Sequence, residues 1–202
     1  IENVDLEDGT KLRSYYSGFL DKPFEDDMAG PKKRKKKEPE PIEKTSWIKF
    51  DSIPSLLDKE FANCPAQYAT DSGTPTKKWD EVSTTLSKLD TSRLHYVKVP
   101  DEQHIVIDFD KKDQNGNKSY EKNLEEASKW PPTYAELSKS GAGIHLHYLY
   151  TGENPEKLSR IYDDDIEVKV FTGNSSLRRR LTKCNNLPIA TISAGLPLKG
   201  ED

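Results

Sequence analysis

The stretch GIHLHYLY, residues 143–150, determines how the rest of this sequence is interpreted. Its apolar residues form a strand-like run, and two histidines, His145 and His147, lie two positions apart within it. Side chains of a strand alternate between the two faces of a sheet, so both imidazoles are expected on one face and the intervening apolar side chains on the other. The stretch therefore predicts a strand whose apolar face packs in a core and whose other face presents the two histidines to a functional site.

Two further stretches show the same alternation: HIVIDFD, residues 104–110, and DIEVKVF, residues 165–171. The pattern is typical of a mixed or antiparallel sheet that is covered on one side, since strands buried on both faces read as continuous apolar runs. The segment SYEKNLEEASKW, residues 119–130, is the predicted covering helix, and two prolines follow it. The sequence thus predicts an α/β (α+β) fold, a mixed sheet with one helix-covered face and one open catalytic face.

Composition limits the classes of partner. Because the net charge is -4, the molecule as a whole provides no positive field, and any nucleic-acid site must be a local patch. The two cysteines, Cys64 and Cys184, are too few for a disulfide framework or a four-ligand zinc site, so no zinc is expected and a cytoplasmic setting fits. No apolar run reaches the roughly 18 residues of a membrane span, so no membrane partner is expected.

The chain divides by composition into three parts. Residues 1–30 mix acidic and aromatic residues and stay unassigned. Residues 31–44 begin with PKKRKKKEPEP, in which charge repulsion and proline favour an extended linker; a nuclear localisation signal or a nucleic-acid arm is the alternative. Residues 45–202 have globular patterning, and they begin with two helix-like segments, residues 52–64 and 80–89.

Paired aspartates at the end of the first stretch predict a cation site. Asp108 and Asp110 are expected on one face of their strand, and Glu167 on another strand supplies a third carboxylate. Hard carboxylate oxygens suit Mg²⁺ or Mn²⁺, which bind through a few carboxylates together with substrate phosphates. Three carboxylates on one sheet face would repel one another unless cations neutralised them, so the arrangement indicates function more than structure.

The loop before the histidine strand, SKSGAG, is a candidate phosphate site. Gly141 and Gly143 would let backbone N–H groups approach an anion, and Lys139, Ser140 and a histidine add further donors. A triphosphate is the expected ligand. The alternative is an ordinary tight turn.

Beyond Glu167 the chain turns basic and carries no acidic residue until position 201. This run could neutralise a template backbone or the tail of a nucleotide, and the alternative is a plain solvated face. The candidate phosphate-binding residues of the run are Lys169, Arg178, Arg179, Arg180 and Lys183.

Taken in order, IDFD, SGAGIHLHY and IEVKVF resemble the three motifs of the archaeo-eukaryotic primase superfamily, in its phage and plasmid primase-polymerase branch. The resemblance covers roughly residues 95–190, and its most specific part is the middle motif with its serine and glycines. It implies that Asp108, Asp110 and Glu167 are the catalytic metal ligands, and that His145 binds the phosphates of the incoming nucleotide.

Members of this family pair an RNA-recognition-like catalytic sheet with a second, smaller α/β unit, which is expected here on the N-terminal side. For residues 45–202, the resemblance implies DNA primase or DNA polymerase activity by a two-metal mechanism, with a single-stranded DNA template and NTP or dNTP as substrates. Such a domain would serve the replication of a phage or mobile element inside a bacterial host cell. In many members it precedes a helicase, so a helicase domain or partner outside this fragment is expected.

Two other functions remain open. In HUH-type tyrosine endonucleases of rolling-circle replication, a strand of the same kind uses both histidines as metal ligands, and Tyr162 would be the nucleophile here. The sequence RIYDDDIEV lacks the usual tyrosine-x-x-lysine helix, however, and the paired acids would have no role. A non-catalytic nucleic-acid-binding module is the third possibility, and an intact set of acids argues against it.

Overall fold

The structure is a computed structural model that describes residues 46–200. The N-terminal segment and the basic linker predicted for residues 1–44 lie outside the described residues. The α-helices of the described part are α1, Leu56–Glu60, and α2, Tyr120–Ala127. Its strands are β1 Ala66–Tyr68, β2 His95–Val97, β3 His104–Phe109, β4 Ala135–Leu137, β5 Ile144–Tyr150, β6 Ile161–Asp163, β7 Ile166–Val170, β8 Leu177–Arg179 and β9 Ala190–Ile192.

The larger sheet has the strand order β9-β5-β3-β7-β6, and the short strand β4 also pairs with β5. Strand β9 runs parallel to β5, whereas all other pairs in this sheet are antiparallel. The predicted α+β class with a mixed sheet is therefore confirmed. The three strands predicted from alternation are β3, β5 and β7, and they are neighbours with β3 in the middle.

One face of the larger sheet carries the main core. Alternate side chains of β3, β5 and β7 are fully buried there, and α2 adds Ala127 and Leu124. The helix begins after its N-cap Ser119, whose Oγ accepts a hydrogen bond from the Lys122 N–H at 3.3 Å, and it ends before Pro131. Non-helical residues complete the cover of this face: Trp47, Phe50, Trp130, Leu196 and Leu198. A single short helix thus covers only part of the face for which a helical layer was predicted.

The prediction of a helix at residues 80–89 is wrong. Two separate 3-10 turns, Trp79–Glu81 and Leu86–Lys88, occupy this region, and the chain between them is extended. β-branched side chains disfavour a helix at this point, and the Thr84 carbonyl accepts a hydrogen bond from the Ala66 N–H of β1 at 3.1 Å. Of the helix predicted for residues 52–64, only the five residues of α1 are helical.

Neither α-helix of residues 46–200 is long and apolar enough to cross a membrane.

A second, three-stranded antiparallel sheet has the order β1-β2-β8 and lies over the polar face of the larger sheet. Together with α1 it forms a second core, in which Val106 of β3 packs among Leu57 of α1, Phe61 at the C-cap of α1, and Val97 and Leu177 of the small sheet. This small unit takes its third strand from the C-terminal part of the chain. The polar face is therefore open only at the end where the small sheet stops.

A buried ion pair joins the two sheets. The Arg179 Nε of β8 donates to Glu136 Oε1 of β4 at 2.8 Å, and Arg179 Nη1 donates to Asp58 of α1. Arg179 is 3% exposed and Glu136 is 2% exposed. Burial disfavours the charged form of Glu136, but the guanidinium and the Tyr134 hydroxyl outweigh it and hold the pKa of Glu136 below its usual value.

The prediction that Arg179 belongs to an exposed phosphate-binding run needs correction. Side chains of β8 alternate, so Leu177 and Arg179 point into the interior while Arg178 and Arg180 are exposed. The guanidinium of Arg179 is already engaged by two carboxylates. Its main role in the described structure is to hold the small sheet against the large one.

We expect Arg179→Met to reduce the free energy of unfolding by about 3–5 kcal/mol, because it leaves the Glu136 carboxylate buried without its countercharge. Urea unfolding followed by circular dichroism measures the change. The matched control is Arg178→Met on the exposed face of the same strand, for which we expect a change within about 0.5 kcal/mol. Equal stability of the two variants would contradict the structural role of Arg179.

Candidate active site

The strand register places the acidic and histidine motifs in one row across the larger sheet. Asp108 of β3 faces His145 of β5 on one side and Glu167 of β7 on the other, and His145 also faces Glu136 of β4. Facing residues of antiparallel strands point to the same side, with Cβ atoms about 4.5–5.5 Å apart. The structure therefore brings the three predicted motifs together at the centre of the sheet.

A cleft of about 460 Å³ lies over this row, at the open end of the polar face. All predicted site residues line the cleft except Glu167, Gly141, Gly143 and Lys183. Glu167 and Lys183 are exposed outside it. The residues that line the cleft are Leu94, Asp108, Asp110, Lys118, Ser138, Lys139, Ser140, His145, Lys169, Arg178, Arg179 and Arg180.

Asp108 lies at the floor of the cleft between two cationic groups. Its side chain is 9% exposed, with Oδ1 3.1 Å from His145 Nε2 and Oδ2 3.1 Å from Lys169 Nζ. Burial would raise the pKa of Asp108, but His145 and then Lys169 outweigh it and lower the pKa to about 2. The carboxylate is thus ionised at neutral pH. Its Oδ1 nevertheless lacks a well-aligned hydrogen bond, since the contact with His145 satisfies the distance but not the direction.

The pKa of His145 is shifted in the opposite direction to that of Asp108. Burial favours its neutral form, but the contact with Asp108 and the charge of Glu136 outweigh this effect and raise the pKa of His145 above its usual value. The imidazolium and the ionised Asp108 therefore stabilise each other. When His145 is protonated, two opposite charges lie side by side at the base of the cleft.

Asp110 occupies the next position on the same side of the chain and is held by three neighbours. Its Oδ1 lies 3.1 Å from Lys118 Nζ, and its N–H donates to the Asp165 carbonyl at 2.8 Å. Lys118 was not predicted as a site residue; it reaches the cleft through a tight hairpin in which Lys112 pairs with Lys118. The turn-forming sequence DQNG at residues 113–116 was the available signal for this hairpin.

The third neighbour of Asp110 is the glycine loop. A Cβ on Gly143 would lie 2.9 Å from Asp110 Oδ1 and 2.8 Å from Ser138 Oγ, so only glycine leaves room for the carboxylate. Gly141 has a φ of +77°, in the left-handed region that favours glycine. The N–H groups of both glycines donate to Ser138. The donors that remain for an anion are therefore the side chains of Lys139 and Ser140 at the cleft wall.

The second histidine of the strand has a different environment. His147 is fully buried under the small sheet, and its Nδ1 lies 2.9 Å from His104 Nε2. Burial lowers the pKa of His147 well below its usual value and that of His104 to about 4, so both are neutral at physiological pH. The two histidines share one face as predicted, but only His145 reaches the cleft.

The carboxylates of the cleft provide suitable ligands for a divalent cation. No three His, Cys, Asp or Glu side chains of residues 46–200 are already grouped as a metal site. Asp108 Oδ1 is a buried acceptor without an aligned donor, however, and the lysines on Asp108 and Asp110 are 48% and 44% exposed. The Lys118–Asp110 pair is exposed at both ends and costs little to break, whereas Asp108 is buried and needs another positive charge in place of Lys169, which a bound cation would supply. Asp108 and Asp110 thus fit Mg²⁺ or Mn²⁺ once the lysines move, with Glu167 beside Asp108 in the row.

Neither a model of a known protein family nor a curated protein matches this chain. Its function is therefore inferred from the side chains of the cleft and from the resemblance of the three motifs.

We expect Asp108→Asn to lower the pKa of His145, because it removes the negative charge that stabilises the imidazolium. In the wild-type protein, protonation of His145 contributes stability that is fully present below the pKa of an unfolded histidine, about 6.5, and is lost as the pH rises through the higher folded value. Titration of the histidine ring signals by NMR measures this pKa. Asp110→Asn is the control, and an equal shift in both variants would contradict the pairing of Asp108 with His145.

We expect Gly143→Ala to destabilise the protein by about 1–3 kcal/mol and to displace the Asp110 carboxylate, since the added Cβ meets backbone as well as side-chain atoms. Gly141→Ala is the control, because a Cβ there meets no atom within 4 Å and costs only backbone strain. Thermal unfolding gives the stability, and Mn²⁺ binding reports the displacement. Unaltered Mn²⁺ affinity in Gly143→Ala would show that the glycine does not position Asp110.

Proposed function

We propose that this protein is a nucleotidyltransferase of the primase-polymerase kind, which joins nucleotides on a single-stranded DNA template. The observation that carries the proposal is the pair of His145 and Asp108 at the floor of a cleft with cationic walls, with Glu167 facing Asp108 from β7 outside the cleft lining. The carboxylates suit a divalent cation, whereas the lysine and arginine side chains suit phosphates. A metal-bound polyphosphate is the ligand that would use both sets of side chains.

Cationic side chains of the cleft would bind the triphosphate. Lys139 and Ser140 project from the glycine loop, while Arg178 and Arg180 project from the opposite wall formed by β8 and its end. Protonated His145 would donate to a phosphate oxygen at the floor. Charge-assisted hydrogen bonds of this kind are roughly twice as strong as neutral ones.

Mg²⁺ or Mn²⁺, when bound, supplies Lewis-acid activation of the attacking 3′-hydroxyl and neutralisation of the triphosphate. The chain's own residues position the reactants. Asp108 and Asp110 would hold their carboxylates close to the phosphates, and Glu167 would add a third carboxylate from β7. His145 and the arginines stabilise the charge that develops on the departing pyrophosphate, which is the main contribution a protein makes to phosphoryl transfer.

Two features weigh against a tyrosine endonuclease. The strand would need two accessible histidines, but His147 is buried and paired with His104. Tyr162 lies against Trp130, with ring centroids 4.9 Å apart, and Trp130 packs on Phe109 in the core of the opposite sheet face. Tyr162, the nucleophile of an endonuclease, would thus lie on one side of the sheet, and the histidines that would bind its metal would lie on the other.

A purely nucleic-acid-binding module is less well supported. Such a module gains nothing from an ionised Asp108 at the floor of the cleft, because the carboxylate repels the phosphates that the cationic walls attract. A template would extend beyond the cleft along exposed basic residues such as Lys183. A helicase domain or partner outside these residues belongs to the same proposal and rests on the motif resemblance alone.

We expect the purified protein to incorporate labelled nucleotides on single-stranded DNA with Mg²⁺ or Mn²⁺, with or without a primer. Asp108→Asn, Asp110→Asn and Glu167→Gln should each reduce incorporation by about 10²-fold or more, because the reacting atoms lose their alignment. His145→Ala should raise the KM for nucleotide and lower kcat, whereas His147→Ala should mainly lower stability.

Glu153→Gln, which removes an exposed ion pair with Lys157, is the control and should leave incorporation unchanged. Full incorporation by a folded Asp108→Asn variant would contradict the proposed function. Comparable catalytic loss in His145→Ala and His147→Ala, together with a covalent protein–DNA adduct that disappears in Tyr162→Phe, would favour the endonuclease instead.

A further inference from the structure

Each aspartate of the cleft forms an ion pair with a lysine. Lys169 Nζ lies 3.1 Å from Asp108 Oδ2, and Lys118 Nζ lies 3.1 Å from Asp110 Oδ1. Both lysines line the cleft, and their side chains are 48% and 44% exposed, respectively. The ammonium groups thus contact oxygen atoms that a divalent cation would need.

An ammonium and a divalent cation cannot share these oxygens. Two positive centres on one carboxylate would lie only a few ångströms apart and would repel each other, more strongly the lower the local dielectric constant. A lysine has a flexible four-carbon stem, and its departure from a carboxylate costs little when a bound cation replaces its charge. Cation binding to Asp108 and Asp110 therefore favours movement of Lys169 and Lys118 away from the carboxylates, although at Asp108 the lysine contacts Oδ2 and Oδ1 has no aligned hydrogen-bond partner.

The displaced ammonium groups would stay within reach of the substrate. Their Cα positions are fixed by β7 and by the hairpin that follows β3, and both side chains line the cleft, so a displaced ammonium group can still reach a ligand there. Lys139, Arg178 and Arg180 line the same space. A lysine that leaves its aspartate thereby becomes an additional donor for phosphate oxygens.

We propose that Lys169 and Lys118 are displaceable counterions that couple cation binding to triphosphate binding. Without metal, each holds its aspartate in place through a direct ion pair; with metal, each transfers to the phosphates. This inference rests on the proposed function. Because coupling between two ligands is reciprocal, the triphosphate also strengthens cation binding by removing the lysines that compete for the carboxylates.

Other lysines of the chain provide an internal comparison. Lys111 and Lys112 also contact aspartates, Asp163 at 3.7 Å and Asp165 at 3.9 Å, but they do not line the cleft. Lys139 lines the cleft but takes part in none of the ion pairs found among residues 46–200. Only Lys169 and Lys118 combine both properties within the described residues.

Residue-resolved amine labelling of the full chain, read by mass spectrometry, tests the transfer directly. The protein is labelled without metal, with Mg²⁺, and with Mg²⁺ and a non-hydrolysable deoxynucleoside triphosphate. We expect Mg²⁺ to raise the reactivity of Lys169 and Lys118 several-fold and the triphosphate to lower it again. Lys157, which pairs with Glu153 away from the cleft, should not change.

Direct Mn²⁺ binding to variants separates competition from simple charge repulsion. Lys169→Met and Lys139→Met each remove one positive charge from the cleft, but only the first releases an aspartate. We expect Lys169→Met to bind Mn²⁺ several-fold more tightly than Lys139→Met, in titration calorimetry without nucleotide. It should also show a smaller gain in Mn²⁺ affinity when the triphosphate analogue is present.

The outcomes distinguish this inference from the proposed function. If Mg²⁺ binds in an Asp108-dependent manner while Lys169 and Lys118 keep their reactivity, or if both lysine variants gain equal Mn²⁺ affinity, the counterion role is overturned and the proposed function stands. If the folded protein binds no divalent cation even with the triphosphate analogue present, both are overturned.

Discussion

The ion pair between Glu136 and Arg179 is the interaction on which the described structure depends. It connects β4 of the large sheet to β8 of the small one, and it extends through Asp58 to α1. Buried ion pairs often add little net stability, because desolvation offsets the attraction, but an incorrect arrangement that leaves one charge unpaired is strongly disfavoured. The pair therefore selects one placement of the small sheet. That placement sets the cationic wall of the cleft opposite Asp108.

Alternation in three short stretches predicted most of what matters for the candidate site. A period of two assigns each side chain to a face without knowledge of the partner strands, so the shared face of Asp108, His145 and Glu167 followed from the sequence. The register that aligns them in one row depends on pairing between distant segments, which alternation alone does not specify. The covering helix could also be predicted, because a serine cap and two prolines mark its ends.

The mispredictions arose where a local pattern was read without its tertiary context. The three arginines at 178–180 were treated as one charged run, although the alternation of Leu177 with Arg179 would have separated the middle arginine from its neighbours. Residues 80–89 have helix-like spacing of apolar residues, yet pairing of Thr84 with β1 requires extended chain. The burial of His147 could not be predicted, because it depends on where the small sheet ends.

The close fit between Gly143 and Asp110 has a consequence for how this sequence can diverge. The two positions are far apart in the chain and belong to different motifs, yet the space for one carboxylate exists only because the other residue has no side chain. A side chain added at position 143 alone would be selected against, whereas a smaller side chain at position 110 would relieve one of the close contacts. Relatives that carry a side chain at position 143 should therefore show a compensating change at position 110, so that the two columns of an alignment vary together.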